Sequence, residues 1–98
     1  MNIEEIKQST KQIADHFQIK SQQLKLVEEL GELSREIAKD IAANRDISDA
    51  TISEMSDVNI LVNQILYLSG DGSKEKLKEQ IEYKLQRTIK RISEGYYK

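Results

Sequence analysis

Apolar residues recur along this chain every three or four positions, the period of an amphipathic helix. Ile3, Ile6, Thr10, Ile13 and Phe17 predict a first helix over about residues 2–16. Leu26, Leu30, Leu33, Ile37 and Ile41 predict a second, with Ser21 as its N-cap and an end near Ala43. Met55, Val58, Val62, Ile65 and Leu66 mark a third. Asp46 and Asp49 resemble its capping box, and it ends before Gly70-Asp71-Gly72. Ser73 then caps a fourth helix carrying Leu77, Ile81, Leu85, Ile89 and Ile92. Proline is absent and no linker or repeat divides the chain. Residues 1–98 are therefore expected to form a single all-α domain, a four-helix bundle. The short connection from about Asn44 to Ile47 predicts an antiparallel central hairpin of the second and third helices.

Two acidic pairs change this picture. Glu29 and Glu32 stand three residues apart on the second helix, and Glu54 and Asp57 do so on the third. Take roughly 100° per residue and the first acid of each pair as zero. The apolar arc of the second helix then covers roughly 40° to 120°, and that of the third roughly 20° to 120°. Glu32 and Asp57 both fall near about −60°. With the two arcs facing each other across the hairpin, all four carboxylates are expected to open onto one groove.

Four acids in one groove repel each other unless a cation sits among them. An oxygen-only ligand set suits a hard ion, Mg²⁺ or Mn²⁺. Zinc is disfavoured without nitrogen or sulfur ligands. The lone His16 excludes the paired Glu-x-x-His pattern of di-iron bundles. Chance also places acids three apart on solvated faces. Glu79 and Glu82 form such a pair, at the far margin of the fourth helix, and are read as surface.

Composition narrows the function classes. The chain has 15 basic and 17 acidic side chains, a net charge of −2, which argues against a nucleic-acid polymer as partner. It contains no cysteine, which fits a reducing compartment. No basic leader precedes an apolar segment, and no apolar run is long enough for a bilayer. A cytoplasmic protein without a membrane partner is expected. Lys84, Arg87 and Arg91 fall at roughly −20° to −80° on the fourth helix, just off its apolar arc. There they could neutralise negative charge on a ligand, or form a solvated basic face. Gln22 and Lys25 share a helix face with Glu29 and Glu32, and could meet a ligand held there or simply face solvent.

The run Gln22-Gln23-Leu24-Lys25-Leu26-Val27-Glu28-Glu29-Leu30-Gly31-Glu32-Leu33 is followed by Glu54-Met55-Ser56-Asp57-Val58. A basic segment, Lys84-Leu85-Gln86-Arg87-Thr88-Ile89-Lys90-Arg91, closes the set. Together they resemble the MazG-like all-α nucleoside triphosphate pyrophosphohydrolases, a family related to the dimeric dUTPases. The resemblance covers most of the chain from Gln22 to Arg91. It implies an Mg²⁺-dependent enzyme that releases nucleoside monophosphate and pyrophosphate. Under it, Glu29, Glu32, Glu54 and Asp57 bind the metal that holds the triphosphate. Glu28 assists Glu29 in catalysis, as an outer ligand or in activating water, and Lys84 and Arg91 meet phosphate oxygens. Many relatives have Asn where this chain has Thr88. The family accepts varied bases, so none is named by the resemblance.

The third helix is apolar over much of its circumference, with Ile60, Leu61, Tyr67 and Leu68 outside its main arc. One small chain cannot cover such a helix on every side, so a homodimer or homotetramer is expected, its groove shared between subunits. Two rival readings stand beside the hydrolase: phosphoribosyl-ATP pyrophosphatase, and a non-catalytic helical adaptor whose acids face solvent or a partner.

Overall fold

The computed structural model describes residues 1–97, and among them there are four helices and no strand. Asn2 opens α1 (Ile3–His16) with a complete capping box: the Glu5 backbone N–H donates to Asn2 Oδ1 at 2.8 Å, and the Asn2 N–H donates to Glu5 Oε1 at 3.3 Å. Phe17 and Gln18 alone separate it from α2 (Ile19–Ala42). The helix thus begins two residues before Ser21, with Gln18 at the cap position and no side-chain cap bond. Asn44, at φ 54°, closes α2: its N–H donates to Ile41 O, and that of Arg45 to Asp40 O. Those two bonds satisfy carbonyls that the helix end leaves free.

The start of α3 (Asp49–Leu68) differs from the expected capping box. Ser48, between the two aspartates, is the cap: its Oγ accepts from the Thr51 N–H at 3.2 Å. The reason lies across the connection. Asp40 of α2 is 2 % exposed and gathers this turn around its carboxylate. Arg45 Nε donates to Oδ1 at 2.7 Å, and Thr51 Oγ1 and the Ser48 N–H donate to Oδ2 at 2.6 and 3.3 Å. Gly70 and Gly72, both at φ 89°, turn the chain into α4 (Ser73–Ser93), where Ser73 is the first helical residue and not the cap. No helix among the described residues is long and apolar enough to cross a membrane.

The Asp40 cluster yields a stability prediction. Thr51, then Arg45, holds its carboxyl down at about 2, below its ordinary 3.8. A depressed acid stabilises the fold above its ordinary value, and that contribution fades as pH falls through about 2. Asp40→Ala strands the buried Thr51 hydroxyl and frees two part-buried donors, Arg45 Nε and the Ser48 N–H, and should lower the melting temperature by about 10 °C at neutral pH. Urea midpoints of variant and parent should converge as the pH approaches 2. A pH-independent gap would show that the charge of Asp40 is not what matters.

Helix α2 packs mainly on α3, and α1 on α3. The seam between α2 and α3 mixes polar and apolar residues. The most buried residues of the two helices are Gln22, Glu29 and Asp40 on α2, with Thr51, Leu61 and Gln64 on α3. Of the expected apolar arcs, Leu26, Leu33, Val58, Val62, Ile65 and Leu66 are half-buried, while Leu30, Ile37, Ile41 and Met55 are exposed. Leu61, expected to await a partner, is buried within the chain.

Helix α4 stands apart. It meets α3 only slightly and has no buried residue. The radius of gyration is 16.6 Å, against about 13 Å for a compact domain of this length. The accessible surface is 7912 Å², where a folded monomer of this size exposes about 5,700 Å².

Candidate metal centre

Glu29 lies midway along α2, and Glu54 and Asp57 lie in the first turns of α3. The seam brings them together. Each offers a carboxylate oxygen, and the three oxygens lie within 4.8 Å of one another. Glu29 is 6 % exposed and Glu54 half-buried. Oε2 of Glu29 and Oε2 of Glu54 are buried without a hydrogen-bond partner. Unpaired carboxylate oxygens in a buried position weaken a fold unless something binds them.

One positive charge reaches the cluster from within. Lys25, one turn before Glu29, places Nζ 3.2 Å from Glu29 Oε1 and 3.7 Å from Glu28 Oε1. The hydrogen bond from Lys25 holds the Glu29 carboxyl below its ordinary value, against the cost of burial. The same bond pushes the Lys25 ammonium up. Among the described residues no cation pairs with Glu54 in this way. Burial first, and then the neighbouring Glu29, push its carboxyl upward. A single lysine therefore offsets only part of the charge. Orphaned carboxylate oxygens, a net negative charge and a ligand set without nitrogen or sulfur fit a hard divalent cation. Glu32 is not one of the three convergent acids. Its charge is near enough to help push the Glu54 carboxyl up.

Two of the three acids, Glu29 and Asp57, line a cavity of about 620 Å³, within the range of small-ligand sites. Lys25, Glu28, Glu29 and Asp57 give its lining charge, Ile13, Phe17, Leu24, Ile60 and Leu61 give it apolar surface, and Gln22 and Gln64 also line it. Gln22, Lys25 and Glu28 thus stand beside the acids, as their helix face implied.

The basic residues of α4 do not. Lys84 is exposed, Arg87 stacks over the Tyr83 ring at 5.5 Å, and Arg91 over the Tyr96 ring at 5.0 Å. None of the three lines the cavity within one chain. Asn59 and Asn63 face a smaller cavity of about 210 Å³ beside Tyr67 and Lys74. Ile13, Phe17, Ser21, Leu24, Ile60, Leu61 and Gln64 line the cavity without having been assigned to the site from sequence. Gln64 carried a signal, a polar residue in an apolar run two turns after Asp57. Phe17 carried none, because its place depends on how α1 turns into α2.

No family model, curated protein or solved structure matches this chain.

Proposed function

We propose that the chain is an Mg²⁺-dependent nucleoside triphosphate pyrophosphohydrolase. One observation carries the reading: three convergent carboxylates, two with orphaned buried oxygens, stand at a cavity lined by both charged and apolar side chains. Such a lining suits phosphates and a base together. A solvated adaptor face would not bury Glu29 or leave its oxygen unpaired.

In this reading Glu29, Glu54 and Asp57 hold the metal, with Glu32 completing its surroundings. A bound Mg²⁺ supplies Lewis-acid stabilisation of phosphate charge and lowers the pKa of water. Lys25 keeps Glu29 ionised and ready to ligate. Glu28, on the cavity wall and more open than Glu29, is placed to accept a proton from an attacking water.

The assembly is part of the proposal. Asp40 meets Thr51, Glu29 meets Glu54 and Asp57, and Gln22 shares a cavity with Gln64. That descending and ascending order supports an antiparallel α2–α3 hairpin. The uncovered α4 and the exposed part of the apolar arcs support a homodimer or homotetramer. Across such an interface Lys84, Arg87 and Arg91 would serve a neighbour's phosphates, since they lie off the cavity of their own chain. A chain without cysteine suits the reducing cytoplasm, where we place its activity.

The test follows products from ribo- and deoxyribonucleoside triphosphates by anion-exchange chromatography, with and without Mg²⁺. The expected products are monophosphate and pyrophosphate, with no diphosphate. Accumulation of diphosphate and inorganic phosphate overturns the assignment. Turnover of phosphoribosyl-ATP but of no simple triphosphate would move it to that substrate.

A further inference from the structure

Gln22 and Gln64 are the cavity's two fully buried amides, at 4 % and 3 % exposure. Gln22 Oε1 is buried without a hydrogen-bond partner. A seam that needed only filling would be better served by an apolar side chain, as at neighbouring Leu61, because an unpaired buried amide is destabilising. The cavity therefore retains hydrogen-bonding capacity that the fold itself does not use.

Spacing says where a ligand would meet it. Gln22 precedes Glu29 by seven residues and Gln64 follows Asp57 by seven, so each amide lies two turns, about 10 Å, along its helix from the acids. The amides thus stand at a distance from a metal-bound phosphate, toward the walls formed by Phe17, Ile60 and Leu61. A ligand spanning acids and amides needs an anionic group, a spacer and a flat apolar body with a polar edge. A primary amide offers one acceptor and two donors in one plane. The complementary edge is that of a nucleobase, where ring or exocyclic N–H groups sit beside acceptor atoms.

We propose that Gln22 and Gln64 read the hydrogen-bonding edge of the nucleobase and determine which triphosphates are accepted. The proposal rests on the hydrolase reading for the phosphate end only. Removing a base-reading hydrogen bond leaves a base atom unpaired in the complex, which weakens the preferred base more than the others.

The experiment uses the full chain and two variants, Gln22→Met and Gln64→Met, which keep side-chain length and remove the amide. Circular dichroism and thermal melting establish that both fold. Gln22→Met is expected to melt no lower than the parent, because it removes an unsatisfied polar group. Two readouts follow: kcat/KM across four triphosphates that share a sugar, and amide chemical shifts on titration with the four free nucleosides. The parent should prefer one base by tenfold or more, with nucleoside shifts at Phe17, Ile60 and Leu61. In the variants the preference should fall by about tenfold and the shifts should weaken. A parent indifferent to the base, or folded variants with an unchanged ranking, overturns the proposal. If nucleosides bind through the two glutamines but no triphosphate is cleaved, the base reader stands and the hydrolase reading falls. If triphosphates are cleaved while nucleosides shift residues elsewhere, the hydrolase stands and the base reader falls.

Discussion

Glu29→Gln, Glu54→Gln and Asp57→Asn should each lower Mg²⁺-dependent kcat/KM by about 10³-fold or more while leaving the helical fold intact. The magnitude follows from what the carboxylates would hold: a metal contributes several kcal/mol to stabilising phosphate charge in the transition state, and each 1.4 kcal/mol is about tenfold in rate. Stability should move the other way, and unevenly. Glu54 is pushed toward its neutral form by burial and by Glu29, so an amide there relieves repulsion without breaking an ion pair. Its metal-free melting temperature should equal or exceed that of the parent. Glu29 is the acid that Lys25 holds at 3.2 Å. Glu29→Gln loses that pairing and should gain less than Glu54→Gln. Added Mg²⁺ should raise the melting temperature of the parent and fail to raise that of the variants, which is linkage between binding and folding. Calorimetric titration with Mg²⁺ gives the same comparison without substrate. Near-normal turnover in any two of the three variants would remove the site, and a parent indifferent to Mg²⁺ would remove the metal.

The helices were legible because apolar spacing and glycine turns are local properties. His16 and Leu68 end their helices where the pattern stops. The caps were less so. Ser21, Asp46 and Ser73 have the right chemistry for a cap, yet the chain caps elsewhere or not at all. The choice of Ser48 depends on Asp40 eleven residues before Thr51, a contact across the turn. Periodicity identified the apolar arcs and implied that they face each other, but it gave no sign that buried polar residues such as Asp40 and Thr51 bond across the same helix pair. Grouping of Glu29, Glu54 and Asp57 was readable from their shared phase. Their depth was not, since an acid expected at a groove's margin is 6 % exposed in the seam. For Lys84, Arg87 and Arg91, phase gave the helix face but could not supply a neighbour for that face, because α4 packs on so little of its own chain.

That unpacked helix gives the second large effect: the protein should sediment as a dimer or tetramer at micromolar concentration, with α4 buried between copies. An isolated helix of this length is marginal in water and draws most of its stability from a packed apolar face. Helix α4 has such a face and nothing in its own chain that buries it: Leu85 is 59 % exposed and Ile89 66 %. Its ion pairs, Lys78–Glu82 and Lys90–Glu94 at 3.9 Å, are exposed and contribute little. The chain exposes about 2,200 Å² more than a folded monomer of its size should. Covering that excess on both copies falls within the range of obligate homodimers, roughly 2,000–5,000 Å² in total. Leu85→Glu or Ile89→Glu would bury a charge without a partner, at a cost of several kcal/mol or more. Either variant should therefore sediment as a monomer, with part of its helical circular dichroism lost as α4 melts. Turnover should fall with assembly if α4 of one copy serves the site of another, and mixing Leu85→Glu with Glu54→Gln should then restore none of it. A fully helical parent that stays monomeric, with a scattering radius near 16.6 Å, would refute the assembly and leave α4 a free-standing arm.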